Sequence, residues 1–177
     1  NISLQEPFSK EIDDYDLYLI TAGYLGDAQK ARSNISEALR ITTVNYAGII
    51  PWINSIVTSR RIIKPGRLWV FSSVAGDFGR ASNFHYGAAK SALTTYCQGL
   101  LSICYDKPFN IRIIKAGYIA TPLTLTIAPK NLCLNTSKLA KLLLRKPNKR
   151  GIEYLPWWWI IVMFIVRALP SKIAAKL

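Results

Sequence analysis

Arg67-Leu-Trp-Val-Phe-Ser-Ser73, with Ser82-Asn-Phe-His-Tyr-Gly-Ala-Ala-Lys90 a short crossing later, is the stretch that decides the fold. The first run is apolar on consecutive positions and ends in two serines, as a short strand buried on both faces does. Ala75-Gly-Asp-Phe-Gly79 then supplies a flexible crossing, and residues 84–105 read as a long helix. On that helix Tyr86 and Lys90 are four apart, so they share one face a single turn apart. A phenol with an ordinary pKa of about 10 then sits beside an ammonium that favours its ionised form. Ser73, at the strand end, adds a hydroxyl able to hold and polarise a carbonyl. This is an arrangement for reducing a ketone or oxidising an alcohol. Tyr-x-x-x-Lys alone equally describes a half-buried helix whose Tyr packs while its Lys snorkels. The strand, serines and crossing ahead of it weigh against that reading.

Working outward, residues 16–21, 67–72 and 110–116 are apolar runs of strand length. Helical stretches at 30–41 and 45–63, with Asn45 near the break between them, separate the first two runs. After the third come a loop over 117–135 containing Pro122 and Pro129, a helix, a short strand and a C-terminal helix. Strands alternating with helices predict an α/β fold with a parallel sheet. The 177 residues, half of them hydrophobic, suit one α/β domain over 1–177.

The formal net charge is +13. The cations cluster at Arg60–Arg67, at Lys138–Arg150 and at the C-terminus, without the single dense run of a nucleic-acid binder. Lys138-Leu-Ala-Lys-Leu-Leu-Leu-Arg-Lys146 reads as an amphipathic helix with a solvated basic face, or one recruited to anionic lipid. Cys97, Cys104 and Cys133 have neither disulfide-framework nor zinc-site spacing, so no metal is expected and a reducing compartment is the simple inference. His85 is the sole histidine, and without a Gly-x-Ser-x-Gly elbow around Ser73 it reads as a loop or rim residue.

Five segments together resemble the short-chain dehydrogenase/reductase family over nearly the whole chain. Asp16-Leu-Tyr-Leu-Ile-Thr-Ala-Gly23 is similar to that family's fourth strand, and Thr43-Val-Asn45-Tyr-Ala-Gly48 to its asparagine-bearing helix segment. Ser72-Ser73-Val-Ala-Gly76 and Tyr86-Gly-Ala-Ala-Lys90 resemble its serine and Tyr/Lys motifs. Ile111-Arg-Ile-Ile-Lys-Ala-Gly117 with Tyr-Ile-Ala-Thr121 resembles its sixth strand and nicotinamide loop. The resemblance implies a Rossmann-like doubly wound parallel sheet and NAD or NADP as cofactor. It implies catalytic roles for Asn45, Ser73, Tyr86 and Lys90: Tyr86 as proton donor, Lys90 lowering its pKa and holding the nicotinamide ribose, Ser73 orienting the substrate oxygen, Asn45 holding a relay water. Ala22, Gly23, Gly117, Ile119 and Thr121, with Tyr86 and Lys90, would line the cofactor cleft. It further implies a homo-oligomer. Ala116-Gly117 stands where the family has Pro-Gly, so a looser nicotinamide loop is expected. No Thr-Gly-x-x-x-Gly-x-Gly turn occurs in the chain. The expectation is therefore a sheet lacking its first three strands and Gly-rich turn, which by itself neither binds cofactor nor turns over.

The segment 155–177 reads as a hydrophobic and basic extension. Leu155-Pro-Trp-Trp-Trp-Ile-Ile-Val-Met-Phe-Ile-Val166 is an apolar run followed by Arg167, Lys172 and Lys176. As helix it reaches about 18 Å, short of the roughly 30 Å hydrocarbon core, so a span is not expected. Three adjacent tryptophans with basic flanks suit a membrane interface, or a core or dimer contact. With Val74-Ala-Gly-Asp-Phe-Gly-Arg-Ala-Ser-Asn-Phe84, this tail resembles the branch of the family containing the decaprenylphosphoryl-2-keto-ribose reductase type. That resemblance implies a lipid-linked keto sugar as substrate and a cytoplasmic protein peripheral on the inner face of the membrane. The competing expectation is a non-catalytic membrane-surface or scaffold protein derived from a reductase.

Overall fold

The computed structural model describes residues 15–58, 60–122, 124 and 128–174. Four parallel strands form one sheet: β1 (Leu17–Ile20), β2 (Gly66–Ser73), β3 (Phe109–Ala116) and β4 (Gly151–Leu155), in that spatial order. Register runs Leu17 to Arg67, Ser73 to Ala116, and Ala116 to Leu155, which brings the strand ends to one edge of the sheet. Parallel neighbours require crossovers, and the helices supply them: α1 (Ala28–Ala31), α2 (Ile35–Thr42), α3 (Ile50–Thr58), α4 (Phe84–Ile103), α5 (Thr136–Leu144), then α6 (Trp159–Ala168) and α7 (Ser171–Ala174) beyond β4.

Strand alternation sends side chains to two separate cores. On one face Leu68, Val70, Ile111 and Ile113 meet Ile53 of α3 and Leu93 and Cys97 of α4. On the other, Trp69 and Ile114 meet Leu139 and Leu143 of α5. Helices on both faces make this the expected Rossmann-like α/β arrangement, and explain why the strands are continuous apolar runs. The basic stretch of α5 behaves as an amphipathic helix: Leu139 and Leu143 are buried while Lys138 and Lys141 are exposed.

The helical expectation for 30–41 is corrected to two helices. Asn34 takes an extended backbone and its side chain accepts from the Glu37 amide at 3.1 Å, starting α2 afresh. The expectation of one helix over 45–63 is corrected likewise. Thr43–Ala47 is a wide π turn, α3 begins at Ile50 with Pro51 in its first turn, and Arg60–Ile63 is a 3₁₀ turn. His85 is not a loop residue: it lies in the first turn of α4 with its ring 4.1 Å from that of Phe84.

Arg112 in β3 is fully buried, and each of its three side-chain nitrogens donates a hydrogen bond. Nε and Nη2 donate to Glu153 of β4 at 2.7 and 2.5 Å, and Nη1 donates to the Leu143 and Lys146 carbonyls at the end of α5. Its guanidinium also lies 4.9 Å from the Trp69 ring centre. One cation thus fastens β3, β4 and α5 together. Glu153→Ala, which strands that charge, is expected to lower stability by about 3–5 kcal/mol in urea titrations, while Arg112→Met with Glu153→Leu recovers most of the loss.

Candidate active site

The site forms where β1, β2 and β3 end and α4 begins. Its foundation is a hydrogen-bond pair between β2 and α4: the Ser72 hydroxyl lies 2.7 Å from that of Thr94 and donates to the Lys90 carbonyl at 3.1 Å. Close approach does the rest. A Cβ at Gly87 would fall 2.7 Å from the Ala75 carbonyl oxygen, and one at Gly76 would fall 2.7 Å from the Ser91 nitrogen. Glycine on each side lets the loop after Ser73 interlock with the first turns of α4. That interlock places Ser73 beside Tyr86, close enough for the serine to act against the rise of the phenol's pKa. Ser73 also accepts from the Ala75 amide at 3.1 Å, fixing its rotamer.

Lys90 is buried beneath them and donates to the Ala22 carbonyl at 3.3 Å and the Phe71 carbonyl at 3.1 Å, bridging the ends of β1 and β2. Its nitrogen stands 5.9 Å from the centre of the Tyr86 ring. Burial acts against both partners: it pushes the Tyr86 phenol up, opposed by the Ser73 hydrogen bond, and brings Lys90 down to about 8. The expectation that Lys90 lowers the pKa of Tyr86 is corrected accordingly: the phenol is pushed up by burial. The cation is itself destabilised by removal from water, and two carbonyl contacts only partly compensate.

Asn45 is completely buried in the π turn. Its Nδ2 donates to the Ile41 carbonyl at 2.8 Å and the Tyr24 carbonyl at 2.5 Å, and its Oδ1 accepts from the Tyr24 amide at 3.1 Å. The side-chain amide therefore acts as a strand partner for Tyr24 and fixes the Gly23–Tyr24 backbone. Asn45 stands under the cleft instead of on its wall. Glu37 steadies the next residues, accepting from the Tyr24 hydroxyl at 2.9 Å and the Asp27 amide at 3.0 Å; these donors hold its carboxylate below the ordinary range.

Two cavities meet at Ser73 and Tyr86. The first, about 420 Å³, gathers Ala22, Gly23, Lys90, Gly117, Ile119 and Thr121, which are the expected cofactor-side residues. The second, about 680 Å³, is walled by Val74, Ala75, Asn83, Tyr118 and Trp159. The loop expected to be loose after Ala116 is tied down: Gly117 donates to the Leu155 carbonyl at 2.9 Å, Ala120 to Leu134 at 2.9 Å, and Leu134 back to Tyr118 at 2.9 Å. Of the loop expected over 117–135, residues 123 and 125–127 lie outside the described residues.

Ser72 and Glu37 are not marked by sequence reasoning, and Trp159 is marked there only as one of three adjacent tryptophans suited to a membrane interface, a core or a dimer contact. Ser72 carries a usable signal, since strand alternation sets it with Leu68 and Val70 under α4; nothing local tells which tryptophan of the run reaches the cavity. A buried ion pair, Lys115 with Asp77, adds a further link, and Tyr154 donates to Asp77 at 2.7 Å. It fastens β3 and β4 to the loop following Ser73. No described cluster of His, Cys, Asp and Glu has the makings of a metal site. Cys97 and Cys104 are free thiols, and burial pushes that of Cys97 up to about 12.

A Ser/Tyr/Lys cluster thus stands where the strands of a parallel α/β sheet end. Residues 4–131 match the family model described as short chain dehydrogenase, and the chain belongs to that family. It is 26% identical over 153 residues to an uncharacterized oxidoreductase of Mycobacterium tuberculosis, covering 86% of this chain and 61% of that protein. It is 29% identical over 172 residues to an uncharacterized oxidoreductase of Streptomyces coelicolor, covering 93% and 65%. The chain thus spans somewhat under two thirds of the length of these relatives. Among solved structures, a short chain dehydrogenase from Burkholderia cenocepacia in complex with NADP superposes with a TM-score of 0.73 at 14% identity, covering 90% of this chain and 69% of that one.

The lowered Lys90 pKa has a consequence for stability. Between about 8 and 10.5 the unfolded chain binds a proton at Lys90 that the native state has released, so the contribution of Lys90 to stability rises with pH across that window. Measured against Lys90→Met, the wild type is expected to gain about 3 kcal/mol from pH 8 to 10.5 in chemical denaturation, with no further gain above.

Proposed function

We propose that the whole protein reduces a ketone with NADH or NADPH, with Tyr86 as proton donor. The observation that carries this reading is the Ser73–Tyr86 pair shared by the walls of two cavities, with Lys90 one helical turn behind. When bound, the nicotinamide supplies the hydride. The residues of the smaller cavity fit such a cofactor: Lys90 has three donors, and carbonyls occupy two of them, Ala22 and Phe71. The third serves a ribose hydroxyl. Gly23 leaves the end of β1 open to close approach, while Ile119 and Thr121 face the carboxamide end. Ser73 holds the substrate oxygen beside the Tyr86 hydroxyl, which transfers its proton as negative charge develops on that oxygen. Lys90, when charged, stabilises the resulting phenolate. Asn45 holds the Gly23–Tyr24 backbone that walls the cleft.

The substrate we favour is a 2-keto sugar carried on a polyprenyl phosphate. Support comes from the larger cavity, with aromatic Tyr118 and Trp159 at one side and Arg80 at another, and from the surface beside it. Trp157, Ile160, Ile161, Phe164 and Ile165 of α6 and its entry are exposed, Phe164 by 74%, with Arg167 following. Such a face suits peripheral contact with an anionic membrane, from which a lipid-linked sugar enters the cavity. No helix among the described residues is long and apolar enough to cross a membrane. The same face favours a second reading, a non-catalytic membrane-surface protein.

NADH and NADPH oxidation with a ketone panel including a polyprenylphosphoryl 2-keto sugar tests the main reading. Tyr86→Phe is expected to lower turnover at least about 100-fold; an unchanged rate would sink it. Co-sedimentation with anionic and neutral vesicles tests the surface. Phe164→Ser is expected to weaken anionic-vesicle binding about tenfold or more, and equal retention by both variants would remove the membrane contact.

A further inference from the structure

The loop that follows Ser73 is held from two sides. On one it interlocks with α4 through Gly76 and Gly87. On the other the Asp77 carboxylate holds it, with a side chain only 2% exposed. Its Oδ1 pairs with the Lys115 ammonium, and its Oδ2 accepts from the Tyr154 hydroxyl at 2.7 Å. Burial, and then the Asp77 carboxylate, push the Tyr154 phenol up, so it stays a donor. Lys115 and Tyr154 are register partners on β3 and β4. Lys115 also immediately precedes Ala116, the register partner of Ser73, and Gly117, which lines both cavities. Asp77 therefore bridges two chain segments that leave the sheet side by side and contribute to the walls of both cavities.

Backbone contacts carry that hold to Ser73. The Asp77 amide donates to the Val74 carbonyl at 3.1 Å, closing a single turn over Val74–Gly76. The same turn presents the Ala75 amide to the Ser73 hydroxyl at 3.1 Å. We propose that Asp77 is a positioning residue: anchored on Lys115 and Tyr154, it holds the turn after β2 so that the Ala75 amide fixes the Ser73 hydroxyl for the substrate oxygen. Lys115 is the counter-charge that lets a buried carboxylate serve there. A neutral side chain at 77 would hydrogen-bond Tyr154 more weakly and leave the Lys115 cation buried and unpaired. A reacting group misplaced by about 1 Å can cost about 100-fold in rate, so slack in this turn is felt in kcat. The inference rests on the ketone-reduction reading above for the role of Ser73, while the hold on its hydroxyl is independent of turnover.

The test reads the turn first without any ligand, by NMR-detected amide hydrogen exchange on the full chain, comparing Ala75 with Ile113 within β3. Ser73→Ala is expected to speed exchange at Ala75 about tenfold, which assigns its protection to the serine. Asp77→Asn is expected to speed Ala75 about tenfold more than it speeds Ile113, whereas a merely structural loss moves both alike. Should that variant fail to fold, Asp77→Asn with Lys115→Met, which leaves no unpaired cation, carries the same expectation. In the whole protein, Asp77→Asn is expected to lower kcat for ketone reduction about tenfold with KM within about twofold. In a Ser73→Ala background it is expected to change kcat by less than about twofold. Equal acceleration at Ala75 and Ile113, Ala75 protection that survives Ser73→Ala, kcat losses that multiply in the double variant, or failure of both Asp77 variants to fold would each overturn the proposal. An Ala75 amide that responds as expected in a protein that reduces no ketone would instead overturn the reductase reading and leave the positioning standing.

Discussion

The seating of α4 on the end of β2 is the constraint on which the site depends. Ser72 reaches across to Thr94 and to the Lys90 carbonyl, and the loop after Ser73 enters the space that Gly76 and Gly87 leave open. These contacts are short and nearly rigid, so they set the azimuth of α4 as well as its distance from the sheet. With the azimuth set, Tyr86 meets Ser73 and Lys90 passes beneath to the carbonyls of Ala22 and Phe71. A residue one position away on the same helix would face elsewhere, since each step turns about 100°. The chemistry is therefore an outcome of packing between two backbone segments, with hydroxyls and glycines at the contact.

Much of this was legible in the sequence because it depends on local rules. Apolar runs of strand length separated by helical stretches give an α/β sheet, and four-residue spacing gives a shared helical face. The break near Asn45 was also visible, as a change of pattern, though its form was not. A π turn whose asparagine pairs with the backbone of Tyr24 depends on a contact with a segment far away in sequence. The break at Asn34 was missed because 30–41 keeps helical composition throughout, and only the cap shows that it starts twice.

Electrostatics was the other part beyond reach. Spacing puts a lysine near a tyrosine and suggests that the cation serves the phenol. Burial decides how much charge the lysine itself retains, and burial comes from the strands and loops packed around it. Arg112 and Lys115 illustrate the same point in β3. As letters they look like breaks in an apolar strand, whereas in the fold each meets its carboxylate, Glu153 or Asp77, and joins elements that the sheet alone would not hold. Partners so distant in sequence leave no local trace.

The helix α6 has two different environments across its own width. Trp159 and Met163 are buried on one side, and Phe164 and Ile165 are in solvent on the other. Only ten residues long, it has too few turns to bend between them. Its inner side rests directly on the backbone of Gly117, where even a Cβ would overlap the Trp159 indole. One short helix therefore carries both an outward apolar face and part of the lining of the larger cavity.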